Sequence, residues 1–277
     1  MIIQMMSKTE PFHQKKKVFD MIRFTTISQW RKHKNTPETA GKTIGFVPTM
    51  GALHSGHLSL IKKSKTENDL TIVSVFINKP QFNDSSDYVD YPRNIEKDVQ
   101  LLKTQSTDFL LIPEYKELYS DDYQFKITEK SFSKLMEGKH RPGHFDGVLT
   151  VVMKLLIGIA PSKSYFGEKD FQQYYLIRDM AKSFLIETKI VVCPTIRNID
   201  GLAESSRNAL LSPSALKKAS LFFKELSSTK TKDKVFDELK KFGFDVEYIE
   251  EFGGRRFGAI NIDNVRLIDN VEKKHSF

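Results

Sequence analysis

At 277 residues, with 39% hydrophobic and 28% charged residues, the chain can bury a core as one large domain, or a large one plus a small one, without metal or disulfide staples. Its single cysteine excludes a disulfide framework and points to a reducing compartment, so a cytoplasmic protein is expected. The net charge of +8 does not describe a nucleic-acid-binding face, because residues 1 to 35 hold eight basic and two acidic residues and leave little excess elsewhere.

Residues 1 to 20 are polar and unpatterned and are expected to form a flexible leader, which makes Met21 a candidate natural start. The brief apolar opening precedes Lys15, Lys16 and Lys17, the wrong order for a secretory signal. Residues 43 to 47 read as a short strand ending at Pro48, and a glycine-punctuated turn leads into a helix over 56 to 65. Residues 70 to 77 are a nearly continuous β-branched run of the kind buried on both faces of a parallel sheet. A helix over 95 to 103 and a third strand over 108 to 112 follow. Over 145 to 159, Leu149, Val152, Met153 and Leu156 make a helical stripe. The apolar run from 148 to 160 is broken by Lys154 and is short of the roughly 20 residues needed to span a bilayer, so no membrane association is expected.

A strand over 164 to 166 precedes a helix over 170 to 184, with Ile177, Met180, Ala181 and Phe184 on one face. A buried strand over 189 to 193 is stopped by Pro194, and Cys193 reads as a small apolar residue within it. Strands alternating with helices predict an α/β, doubly wound parallel sheet over residues 21 to 195. Ligands bind such sheets at the carboxyl ends of the strands. From 196 to 277 the texture changes. Helices near 213 to 227 and 232 to 242, then strands near 244 to 250 and 256 to 267, predict a smaller α+β second domain.

Each unusual motif follows a predicted strand. The first is Pro48, Thr49, Met50, Gly51, Ala52, Leu53, His54, Ser55, Gly56, His57. A helix start offers unpaired N–H groups and a positive dipole end, so it attracts phosphate. The glycines permit close backbone approach. Two histidines three residues apart project to one side and can donate to phosphate oxygens as charge develops. No cysteine or acidic cluster completes a zinc set around them, so no metal ligands are expected from the protein. The His-x-Gly-His pattern resembles the signature of the nucleotidyltransferase superfamily, which includes class I aminoacyl-tRNA synthetases.

The second motif runs Gly167, Glu168, Lys169, Asp170, Phe171, Gln172, Gln173. Lys169 can place a charge on phosphate, and Asp170 can accept from ribose hydroxyls. Gln173 lies one helical turn beyond Lys169 and shares a face with Ile177, which predicts burial. A capped helix start with a solvated lysine explains these residues equally well when they are taken alone. The third motif is Glu204, Ser205, Ser206, Arg207, whose hydroxyls and forked guanidinium suit a leaving pyrophosphate. It is weak by itself, as are Asn78, Gln81 and Phe82 after the second long strand and Arg141, Pro142, Gly143, His144.

In this fixed order the motifs resemble the pantoate–β-alanine ligase (pantothenate synthetase) family. The likeness includes Phe76 to Phe82, Tyr91-Pro92-Arg93 and Glu137 to Gly147, thins after about Leu211, and returns at Arg266 to Asn270. The resemblance implies a Rossmann-like nucleotidyltransferase fold with a lid-like C-terminal domain. It also implies a two-step reaction in which pantoate attacks the α-phosphorus of ATP and β-alanine then attacks the pantoyl adenylate, giving pantothenate, AMP and pyrophosphate.

It assigns ATP to Met50 through His57, to Gly167, Glu168, Lys169 and Asp170, to Ile196 at the adenine, and to a mobile loop of Glu204, Ser205, Ser206 and Arg207. His57, His54, Lys169 and Arg207 are its catalytic candidates. Gln81 and Gln173, with Asn78 and Arg141, would bind pantoate and β-alanine. Mg²⁺ would ride on the ATP phosphates, and a homodimer is implied. Three departures stand out: Glu204 where the family has Met or Leu, Lys79-Pro80 before Gln81, and a short C-terminal domain. Another adenylyl- or cytidylyltransferase of the same fold, a polyanion-binding module using the basic leader, and an inactive homologue are the competing readings.

Overall fold

The computed structural model describes residues 20 to 83 and 85 to 273; most of the expected leader lies outside them. The described chain opens with β1 (Ile22–Phe24) and α1 (Ile27–Lys34), then β2 (Ile44–Thr49), α2 (Ser55–Glu67) and β3 (Leu70–Val75). Next come α3 (Ser85–Val89), α4 (Ile95–Thr104), β4 (Phe109–Leu111), α5 (Tyr115–Leu118), α6 (Glu137–His140) and α7 (His144–Ile159). The first part closes with β5 (Lys163–Gly167), α8 (Phe171–Ser183) and β6 (Lys189–Cys193). These strands form one parallel sheet in the order β1-β4-β3-β2-β5-β6.

The strands are apolar throughout because both faces are covered. Phe46, Ile72, Phe109, Leu111 and Phe166 pack on one side with Trp30 of α1 and with α7 and α8. Val47, Val73, Val75, Leu110, Tyr165 and Cys193 pack on the other with Leu60 and Ile61 of α2 and Val99 and Leu102 of α4. Alternating residues of each strand thus feed two cores, which is the doubly wound arrangement. The β2 strand runs through Pro48 rather than ending there. Its pairing with β5 stops at Phe46, and proline, which lacks an N–H, sits beyond that ladder. Phe184, expected on the apolar face of α8, is exposed because the helix stops at Ser183.

The C-terminal part holds α9 (Pro213–Leu226), α10 (Lys232–Lys241) and an antiparallel sheet of β7 (Asp245–Phe252), β8 (Arg255–Ile262) and β9 (Val265–Glu272). The single strand expected over 256 to 267 is in fact a hairpin. Asp263 and Asn264 turn the chain with φ of 49° and 61°, the left-handed pair that a two-residue turn matched to strand twist requires. Aspartate and asparagine tolerate that conformation, and this was the signal in the sequence. No helix among the described residues is long and apolar enough to cross a membrane.

Candidate active site

Strand order reverses at β2, which has β3 on one side and β5 on the other. At such a switch point the loops leaving neighbouring strands diverge and open a crevice at their carboxyl ends. Here the crevice has two adjoining lobes, of about 220 Å³ and 140 Å³. Pro48, His54, His57, Phe166, Lys169, Asp170 and Gln173 line both. The larger adds Met50, Asn78, Gln81, Arg141, Ser205, Ser206 and Arg207; the smaller adds Gly56, Gly167, Ile196 and Glu204. Three segments far apart in sequence are therefore brought to one cleft.

The loop after β2 behaves differently from the expected phosphate-binding backbone. Gly51 turns at φ 81° and Ala52 at φ 50°. The N–H groups of Ala52 and Leu53 donate to the Asp98 carboxylate of α4 at 3.0 and 2.8 Å. Gly56 donates to His54 Nδ1 at 3.2 Å, and His54 donates to His57 Nδ1 at 3.4 Å, a reciprocal cap of α2. Of the amides expected to face phosphate, those of Ala52, Leu53, His54 and Gly56 thus have partners within the protein. Gly51, Ala52 and Leu53 shape it from behind, and Ser55 is solvent-exposed at the start of α2.

What the loop presents to the cleft is two imidazoles with ring centroids 4.2 Å apart. Because each Nδ1 accepts a backbone N–H, the proton of each neutral ring resides on Nε2. Burial, then the Lys169 charge, lowers His54 to about 4. Burial, then His54 and Lys169, lowers His57 to about 3. Both rings are neutral hydrogen-bond donors near pH 7, not imidazolium ions.

Asp98 was missed in the sequence. The signal was an acidic residue on the buried stripe of α4, beside Val99 and Leu102, where an aspartate survives only if paired.

On the opposite wall, the turn of residues 79 to 81 is locked in place. Asn78 is buried; its amide donates to Gln81 Oε1 at 3.0 Å and Gly147 O at 3.1 Å, and its oxygen accepts from Tyr119 at 2.6 Å. Expected as a substrate ligand, Asn78 instead spends its side chain on holding Gln81. Gln81 also donates to Met50 Sδ at 3.0 Å. His144, part of a motif that was weak when taken alone, donates from Nδ1 to Gln81 O at 2.7 Å and accepts from Arg141 at Nε2 at 3.2 Å. Burial, then Arg141, lowers His144 to about 3, consistent with that neutral form. Lys79 is exposed, so its departure from the family pattern does not touch the cleft.

Two expectations for the second motif change. Gln173 is half-buried and faces the cleft; the packed glutamine is its neighbour Gln172, which donates to the carbonyls of Phe132 and Leu135 at 2.8 Å each. The Glu168 carboxylate leaves the cleft to pair with Arg255 at 3.1 Å. In the third motif, Arg207 lines the larger lobe and is tied to Asp87 of α3 at 2.9 Å. Glu204 stands on the wall of the smaller lobe with Ile196.

The whole described fold matches known proteins. The family model for pantoate-beta-alanine ligase matches residues 22–272. A pantothenate synthetase of Bdellovibrio bacteriovorus is 48% identical over 83% of this chain and 92% of its own, and one from Legionella pneumophila is 46% identical over 89% and 98%. A crystal structure of the Francisella tularensis pantoate-beta-alanine ligase, complexed with a form of ATP and beta-alanine, superposes with a TM-score of 0.87 at 42% identity, covering 92% of this chain and 99% of that one. The Thermus thermophilus pantothenate synthetase gives 0.82 at 34% identity, covering 91% and 99%. The cleft at the sheet reversal is thus set in a fold shared along its whole length, and the chain belongs to the pantoate–β-alanine ligase family.

Proposed function

We propose that the two-lobed cleft condenses pantoate with β-alanine at the expense of ATP, through a pantoyl-adenylate intermediate. The observation that carries this reading is the convergence, at one switch point, of a paired-histidine loop, a lysine turn and two neutral glutamines. Adenosine fits the smaller lobe, with Ile196 at the base, Asp170 toward the ribose and Gly56 and Gly167 leaving room for close approach. Pantoate fits the larger lobe, where Gln81 and Gln173 each offer a donor and an acceptor to its hydroxyls and carboxylate.

In the first step the pantoate carboxylate attacks the α-phosphorus and pyrophosphate leaves. The Nε2–H groups of His54 and His57 donate to the phosphate oxygens as negative charge moves onto them, with Lys169 and Arg207 adding positive charge. Neither step needs a protein nucleophile. In the second step the β-alanine amine attacks the acyl carbon and AMP leaves. Closure of the 205-to-207 loop, in the C-terminal part that begins at residue 196, shields the mixed anhydride from water. Arg141, half-buried against His144 and Glu137, steadies the Gln81 wall.

Mg²⁺ would ride on the ATP phosphates and enter with the nucleotide as part of the substrate. The homodimer implied by the family is read by light scattering. The unpaired Cys193 suits a cytoplasmic setting.

The deciding experiment is AMP formation from ATP with pantoate, with and without β-alanine. AMP release that requires both, with pantothenate as product, is expected. A chain that consumes ATP without regard to pantoate refutes the assignment.

A further inference from the structure

The Arg266-to-Asn270 stretch belongs to the family likeness, yet the mechanism above leaves Asn270 without a role. It lies on β9, where successive side chains alternate between faces. Val265, Leu267 and Val271 pack with α9 and α10 into a separate core of the C-terminal part. Arg266 and Ile268, on the other face, line the larger lobe of the cleft. Asn270 continues that face, is 3% exposed, and reaches the turn between β5 and α8.

Its amide nitrogen donates to two successive carbonyls, Glu168 O at 2.9 Å and Lys169 O at 2.8 Å. Its oxygen accepts from Arg255 Nε at 2.9 Å and Nη2 at 2.7 Å. Arg255 in turn pairs with Glu168 at 3.1 Å and stacks on Phe171 at 4.3 Å, so it grips the same turn from its flank. Both amide protons and the amide oxygen are used. Only an amide satisfies this site, since one end must donate twice while the other accepts twice.

We propose that Asn270 is a positioning residue: it holds the Glu168–Lys169 turn from the second sheet, so that the Lys169 ammonium is fixed in the cleft before the nucleotide arrives. The proposal rests on the reading of Lys169 as a phosphate-binding group. Holding the turn in advance removes an ordering cost that ATP binding would otherwise bear. It also makes the second sheet part of the nucleotide site.

Asn270→Asp separates this role from simple support of the sheet. The carboxylate keeps, and strengthens, the acceptor facing Arg255. It also sets an oxygen against the two carbonyls, where only a donor is tolerated. The full chain is assayed as N270D, N270A, K169A and the double variant N270D/K169A, with urea unfolding of each. N270D is expected to raise the KM for ATP about tenfold or more and leave the KM for pantoate within about twofold. In the K169A background the same change adds less than about twofold, because the group it positions is gone.

A wild-type ATP KM in N270D beside an impaired N270A assigns the amide to Arg255 and overturns the proposal. Additive effects in the double variant also overturn it. K169A with unchanged ATP kinetics overturns the underlying reading instead. If N270D does not fold, N270A in the same cycle with K169A decides.

Discussion

His54, His57 and His144 share one physical state: each is a ring placed by hydrogen bonds to backbone or guanidinium and kept neutral by burial, at about 4, 3 and 3. The unfolded chain returns them to the ordinary value near 6.5. Above pH 6.5 they are neutral in both states and contribute no pH dependence. Between 6.5 and about 3 the unfolded state binds more protons than the folded one, so stability falls as pH falls. The effect is on the order of 2 kcal/mol per ring at pH 5. Urea unfolding is expected to show a loss between pH 7 and pH 5 that is smaller in His144→Asn, whatever the absolute stability of that variant. An identical pH dependence in both proteins would show that His144 is not held neutral.

Glu204 is the residue-scale departure expected to carry a functional cost. It sits on the wall of the smaller lobe, and a carboxylate there repels a polyphosphate by about 1 kcal/mol at water-like screening. Glu204→Gln is expected to lower the KM for ATP about fivefold. An unchanged KM would place the carboxylate out of reach of the phosphates.

At the scale of elements, two close approaches build the site. Asp98 of α4 accepts the backbone of the histidine loop and so couples that loop to a packed helix. On the other wall, α7 lies directly against the 79-to-81 turn at Gly147. A Cβ there would meet Gln81 N, Pro80 C and Pro80 O at 2.6 to 2.7 Å, all backbone atoms. Gly147→Ala must therefore move the turn that carries Gln81 and break the Asn78–Gly147 bond. The expected result is a KM for pantoate raised tenfold or more, with ATP binding changed little. Equal effects on both substrates would mean that α7 supports the whole cleft and not the Gln81 wall.

At the scale of the molecule, the cleft is a seam between two sheets, and buried charge crosses it. Glu137, the first residue of α6, is hydrogen-bonded to Arg266 of β9 at 2.8 Å and to Tyr248 of β7 at 2.7 Å. Burial alone would raise its pKa, but Arg266 and Tyr248 hold it at about 2. Its stabilising contribution is present above the ordinary value near 4.5 and is lost as pH falls toward 2. Glu137→Gln removes one of the two carboxylates paired with Arg266, Glu247 being the other, and takes away the counter-charge of Arg141. It is expected to cost about 3 kcal/mol, read as a lowered urea midpoint at pH 7. A change below about 0.5 kcal/mol would show that the seam does not depend on this pair.

The amino-acid sequence by itself determined the strand and helix order, the doubly wound sheet and the three motifs. Local rules decide these: continuous apolar runs demand a sheet covered on both faces, and glycine or proline mark where the chain must turn. The Asp263-Asn264 turn was equally legible but was read through as strand. Tertiary structure alone decided which side chains remain available to a ligand. Asn78, Glu168 and the amides of Ala52, Leu53 and Gly56 all looked like ligand groups. They are spent on Gln81, Arg255, Asp98 and His54, partners set by the folded backbone, of which Arg255 and Asp98 are far away in the chain. Hydrogen-bonding capacity is a property of a residue, but whether it is already satisfied depends on what the fold places within 3 Å of it.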